Sequence, residues 1–192
     1  MSYFDVEDLF ETANLRFLEN ERELIESDVS ERSLCASLMT YLRDVMRERP
    51  YYDGYYVDVE YNRNRGGNVK KIKSILDGRG TVIPITCDLI VHSRGRNWVQ
   101  DNLLAVEMKK KKNTAQYAHD KRCDQERLIA LTMDTYGPEW DRRGLPEYVC
   151  RYILGVFYEI DYQTSRINLE YYHHGFRIYT RSISFDGIEI DI

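Results

Sequence analysis

Asp88, Glu107 and Lys109 are charged residues set inside apolar runs, ITCDLIVHS (85–93) and NLLAVEMKK (102–110). Both runs read as strands, and RGRNWVQD (94–101) between them reads as a hairpin connection. Side chains alternate along a strand, which puts Glu107 and Lys109 on one face and Val106 and Met108 on the other. If the two runs pair, Asp88 and Glu107 can lie side by side. Two carboxylates held close repel, and burial makes their charged forms costlier still. A nearby lysine offsets one charge; a divalent cation supplies two and accepts oxygen ligands from both acids. A strand fixes such ligands more rigidly than a loop does. The bland alternative is the polar face of an edge strand, with lysines that discourage aggregation.

The elements that must position these residues follow from hydrophobic spacing. The first 28 residues, rich in Glu and Leu with Phe4, Phe10, Phe17 and Leu24, predict one or two amphipathic helices. Leu34, Leu38, Leu42 and Val45 predict a second helix, ending near Arg49 because Pro50 disfavours helix in the residue before it. YYDGYYVDVEYN alternates, with Val57 and Val59 on one side and Asp58 and Glu60 on the other, as in a half-buried strand. NRNRGGN (62–68) predicts a turn, and 69–83 is ambiguous. Residues 114–137 predict a helix ended by Gly137 and Pro138, and 148–185 predict two or three strands. The expected fold class is α/β (α+β): a mixed sheet flanked by helices. It forms one domain, with a helical appendage (1–28), a motif-bearing core (30–137) and C-terminal strands (148–192).

Composition narrows the function classes. With 192 residues, 43% hydrophobic and 31% charged, the chain has the make-up of one ordinary globular domain. Its apolar runs are short of membrane-spanning length and MSYFDVEDLF has no leader pattern, so a cytoplasmic protein without membrane partners is expected. Cys35, Cys87, Cys123 and Cys150 lie far apart without a CxxC pair, and the four histidines lack metal-ligand spacing, which argues for reduced thiols and against zinc. The net charge of −5 argues against coating nucleic acid through bulk charge, but KKIK (70–73) and KKKK (109–112) are local basic patches.

At Asp88 and Glu107-Met108-Lys109 the chain resembles the PD-(D/E)xK nuclease superfamily, the restriction-endonuclease-like fold. AVEMKK is similar to the corresponding strand in nuclease domains of restriction enzymes and Holliday-junction resolvases. Those families also carry a glutamate on a helix before the sheet; Glu31 lies three and seven residues before Leu34 and Leu38 and extends that helix's buried stripe. The resemblance covers roughly residues 30 to 132. Pro84 is too far from Asp88 to form the literal Pro-Asp pair, and neither Gln116 nor Gln125 begins a Gln-x-x-x-Tyr motif.

The resemblance implies metal-assisted phosphodiester hydrolysis. Asp88, Glu107 and the main-chain carbonyl of Met108 would hold Mg²⁺ (or Mn²⁺), with Glu31 completing the site directly or through water. Lys109 would orient or help deprotonate the attacking water and stabilise the transition state. Lys110, Lys111 and Lys112, with Lys70, Lys71 and Lys73, would contact flanking phosphates. Glu31 has a competing role in a capping box begun by Asp28. Glu60 reads as either a solvated strand residue or a site residue. Lys121, Asp124 and Gln125 precede Leu128 at helical spacing and read as either site-facing groups or exposed helix charges. The expected function is a Mg²⁺-dependent endonuclease acting on DNA ahead of RNA, in restriction, phage defence, recombination or repair, with a homodimer possible. The alternative is the same fold as a catalytically inactive DNA-binding or assembly subunit.

Overall fold

The computed structural model describes residues 1–60, 71–73, 82–84, 86–97, 99–134 and 151–190, with backbone only for 71–73 and 82–84. Helices α1 (Tyr3–Asn20), α2 (Arg22–Glu26) and α3 (Glu31–Arg47) precede a 3-10 turn at Pro50–Tyr52. Strands β1 (Tyr56–Val59), β2 (Lys71–Lys73), β3 (Val82–Pro84), β4 (Leu89–His92) and β5 (Asn102–Lys110) follow, then α4 (Ala115–Thr132). Strands β6 (Leu154–Asp161), β7 (Arg166–His173) and β8 (Phe176–Ser184) complete the order. The result is the expected mixed α+β architecture.

Six strands form one sheet in the order β1-β4-β5-β6-β7-β8, and β2 and β3 pair separately. All neighbours run antiparallel except β5 and β6, which are parallel and joined through α4. A parallel pair needs such a crossover, because a tight turn cannot return the chain to the same end. It also needs cover on both faces. Helices α1 and α3 cover one face over a core that includes Val106, Met108, Val156 and Tyr158. Helix α4 covers the other, where Leu128 and Leu131 meet Ala105 and Phe157. Gly155 lets α4 approach closely: a Cβ there would lie 3.0 Å from the Thr132 methyl group and 3.2 Å from Tyr172 Cβ.

The 1–28 segment, expected as an appendage, is integral to the larger core. Ser2 and Asp5 form a capping box at the start of α1. Val6, Leu9, Phe10, Ala13 and Phe17 then recur at helical spacing and are fully buried. Tyr158 Oη donates 2.9 Å to the buried Asn14 Oδ1, satisfying both groups. Phe10→Ala should therefore destabilise the chain by about 3–5 kcal/mol in urea unfolding, as truncation of a buried aromatic does. A loss below about 1 kcal/mol would mean that α1 docks only loosely.

Several expected boundaries move. The strand expected over 85–93 is only Leu89–His92, so Asp88 stands at its entry, not inside it. There the Asp88 carbonyl accepts from Glu60 N at 3.1 Å, and its carboxylate takes a β5 amide. The helix expected to reach residue 137 leaves helical geometry at Met133 (φ −59°, ψ 143°), whose carbonyl accepts from Arg151 N at 2.9 Å. Gly137, Pro138 and the expected turn at 62–68 lie outside the described residues. Among the described residues, no helix is long and apolar enough to cross a membrane. Cys35 and Cys123 are free thiols, Cys87 is buried, and Cys150 lies outside the described residues.

Candidate active site

The register of the hairpin decides where the charged residues meet. Leu89 pairs with Val106 and Ile90 with Ala105, so one step outward Asp88 stands opposite Glu107. Asp88 Oδ2 accepts from Met108 N at 2.8 Å, which pins the carboxyl against β5. Alternation turns Val106 and Met108 into the core under α1 and α3, while Glu107 and Lys109 face α4. The Met108 thioether meets the Cys35 thiol at 3.6 Å.

Helix α4 supplies the partners. Arg127 Nη1 lies 2.7 Å from Glu107 Oε1 and 3.2 Å from Asp124 Oδ1. Lys109 Nζ lies 2.8 Å from Asp124 Oδ2. Glu107, Arg127, Asp124 and Lys109 thus alternate acidic and basic side chains along one chain of contacts, with Asp88 beside them. Glu31 arrives from the first turn of α3, and its carboxylate accepts from Lys110 N at 2.7 Å. The capping alternative for Glu31 does not hold. Ser30 is the N-cap, its hydroxyl accepting from Ser33 N, and Asp28 sits before the helix with φ at 55°.

Burial sets the electrostatics. Glu107 is only 2% exposed. Desolvation, partly offset by Arg127 and reinforced by Asp88 and Asp124, pushes its carboxyl up to about 8. Burial likewise raises Asp88 despite its hydrogen bond from Met108 N. Arg127 is held above its ordinary value: burial opposes its charge, but Glu107 and Asp124 outweigh that, so the guanidinium stays charged. Burial pulls the Lys109 ammonium down, yet Asp124, with Glu31 and Asp120 beyond, leaves it above the ordinary lysine range. Lys109 is therefore a fixed positive charge in this arrangement and not a ready base.

Other expected site residues go elsewhere. Lys121 Nζ lies 2.6 Å from Glu159, and Gln125 Nε2 donates 2.9 Å to each Glu170 oxygen, so both serve the acids of β6 and β7. The Glu60 side chain is turned to Arg32 at the surface, 3.2 Å away. Lys110 and Lys111 are not free phosphate contacts. The Lys110 ammonium pairs with Asp28 and donates to the carbonyls of Asp28 and Val29, and Lys111 Nζ lies 2.8 Å from Asp161. The exposed Asp28 just before α3 and the buried Asp161 at the end of β6 draw these lysines in. Lys112 is exposed, Lys70 lies outside the described residues, and only the backbone of Lys71 and Lys73 is described.

Arg127 was not foreseen, and Asp124 was only one of several candidates on its helix. One signal pointed to them: α4's inward stripe, Tyr117, Lys121, Asp124 and Leu128, is polar for most of its length. Such a stripe requires charged partners on the sheet.

Comparison of the chain with protein-family models, curated proteins and solved structures finds no match. The site must be judged on its own chemistry. Four carboxyl groups (Glu31, Asp88, Glu107, Asp124) gather around two cations, Lys109 and Arg127. Among the described residues, no three His, Cys, Asp or Glu side chains form a ready metal cage. The reason is visible in the contacts: Glu107 and Asp124 are turned to α4 and β5 cations, and Asp88 and Glu31 to β5 amides. The donor set is carboxyl oxygen, the hard type that Mg²⁺ and Mn²⁺ take, held here against protein cations and amides.

Proposed function

We propose that this chain is a divalent-metal-dependent nuclease that hydrolyses phosphodiester bonds, of DNA ahead of RNA. One observation carries the reading: the Asp88 carboxylate, one residue beyond the Leu89–Val106 pair, takes the Met108 amide next to Glu107, with Lys109 on Glu107's face and Glu31 bonded at the same strand end. Support comes from the order of the elements. A helix bearing Glu31, antiparallel strands with Asp88 at the entry of the first and the Glu107-x-Lys109 pair on the second, then a helix and a parallel strand, is the arrangement in which the PD-(D/E)xK resemblance would place its acids and lysine.

In this reading Asp88 and Glu107 would hold Mg²⁺ or Mn²⁺, with the Met108 carbonyl and Glu31 as further oxygen donors. When bound, such a cation would supply an acidified water and polarisation of the phosphate. The protein's own part is to keep Glu107 rigid and dry on a central strand. Lys109, held protonated by Asp124, presents a fixed positive charge to the negative charge that builds up during hydrolysis. Its role is electrostatic before it is that of a base.

A second reading is a restriction-endonuclease-like DNA-binding or assembly module that does not cut. It is favoured by the saturation of the acids, each already paired with a protein cation or amide. The experiment that tests both is incubation with linear, circular, branched and single-stranded DNA plus Mn²⁺, compared with Lys109→Ala. The nuclease reading expects cleavage that Lys109→Ala loses. Absence of cleavage, together with no Mn²⁺ heat in calorimetry, leaves the module.

A further inference from the structure

Arg127 occupies the place where added positive charge would sit. It comes from α4 one turn past Asp124, is only 25% exposed at its side chain, and bridges Glu107 and Asp124 at 2.7 and 3.2 Å. A guanidinium does not give up its proton in a protein, so its charge is permanent. Asp124 also holds the Lys109 ammonium at 2.8 Å, which leaves Arg127 as the cation nearest Glu107.

This arrangement has a consequence for binding. Glu107 cannot turn fully toward a divalent cation while it holds Arg127, and the two positive charges repel. Releasing Arg127 from Glu107 would leave the guanidinium, 25% exposed, with only Asp124, a carboxyl already shared with Lys109, which is costly. A phosphate group removes that cost, because its oxygens match the guanidinium fork and replace the carboxylate as partner.

We propose that Arg127 is a substrate-contacting phosphate clamp that holds the Glu107 carboxyl in the free protein and couples divalent-cation binding to polynucleotide binding. The proposal rests on the nuclease reading above. Polynucleotide phosphate and Glu107 are alternative partners for Arg127, while Arg127 and a divalent cation are alternative partners for Glu107. Each ligand therefore raises the protein's affinity for the other by the same factor.

The test is Mn²⁺ calorimetry on the full chain, with and without a short phosphorothioate DNA duplex, for wild type, Arg127→Gln and Arg127→Lys. Without DNA, Arg127→Gln should bind Mn²⁺ about tenfold more tightly than wild type, and Arg127→Lys within about threefold of it. With Mn²⁺ present, the affinity of Arg127→Gln for the duplex should fall about tenfold, and its metal–DNA coupling should shrink severalfold. If Arg127 merely held α4 on the sheet, Arg127→Gln would bind both ligands more weakly and melt at lower temperature; that result overturns the proposal. Unchanged Mn²⁺ affinity in Arg127→Gln, with wild-type binding that Glu107→Gln removes, overturns the clamp and leaves the nuclease reading standing. Wild type without any Glu107-dependent Mn²⁺ binding, with or without DNA, removes both.

Discussion

Glu107→Ala is expected to lower DNA cleavage at saturating Mg²⁺ by about a thousandfold or more, with the fold intact. The loss is large because Glu107 is a proposed ligand that no neighbour replaces: Asp124 lies across the Arg127 guanidinium and Glu31, on α3, is bonded to the Lys110 amide farther along β5. Removing one preorganised charge contact at a reacting centre already costs about 10²–10³ in rate, and weakening the cation site adds to that. The fold survives because Arg127 keeps Asp124, 3.2 Å away, and the deleted carboxyl was one that burial disfavours when ionised. The measurement is single-turnover cleavage at several Mg²⁺ concentrations, with circular dichroism melting beside it. Wild-type rates from purified, folded Glu107→Ala would remove the nuclease reading. Lys109→Ala should lose about 10²–10³ without a matching loss of Mg²⁺ affinity, since its role is to place charge and not to ligate.

The second large effect concerns stability against pH. The Glu107 carboxyl titrates near 8 in the folded chain against 4.5 ordinarily, because it is buried beside Asp88 and Asp124. Between those two values the folded state holds a proton that the unfolded state has released. Stability should therefore fall as pH rises from about 4.5 to about 8. A shift of this size corresponds to at most roughly 5 kcal/mol, at about 1.4 kcal/mol per pH unit. Asp88, also raised by burial, contributes with the same sign. Glu159 and Asp161 are lowered by their lysine partners, so their contributions change only in acid, below this window. Glu107→Gln should flatten most of the decline and leave the variant more stable than wild type above pH 8. Urea unfolding in EDTA from pH 5 to 9 checks this, and a Gln variant with the wild-type slope would show that Glu107 ionises without cost. Added Mn²⁺ should flatten the wild-type curve in the same way, because it stabilises the ionised acid.

The two effects share one cause, the placing of a carboxyl on a central, fully covered strand. An exposed edge strand would have left Glu107 solvated, with an ordinary pKa and little pull on a cation. The polar edge-strand alternative fails on this point: β5 lies between β4 and β6, and its residues from Leu103 to Met108 are buried.

Much of this was legible in the residues. The apolar stripe of α3, the two-residue alternation that separates Glu107 and Lys109 from Val106 and Met108, and the short hairpin that sets Asp88 opposite Glu107 are all local periodicities. They depend only on backbone geometry, which is the same wherever the segment packs. The partners were not legible in this way. Periodicity says which face a residue shares, not what lies across from it. Lys110 and Lys111 read as a basic patch, yet Asp28 and Asp161, far away in the chain, take up their charges. Lys121 and Gln125 lie on the same inward stripe as Asp124, yet meet β6 and β7 because α4 packs across β5, β6, β7 and β8. Arg127 reaches Glu107 for the same reason. The sequence by itself determined which acids and which lysine share a strand face. Only the tertiary structure decided which cations answer them, because that depends on how a helix with a polar inner stripe is laid over the sheet.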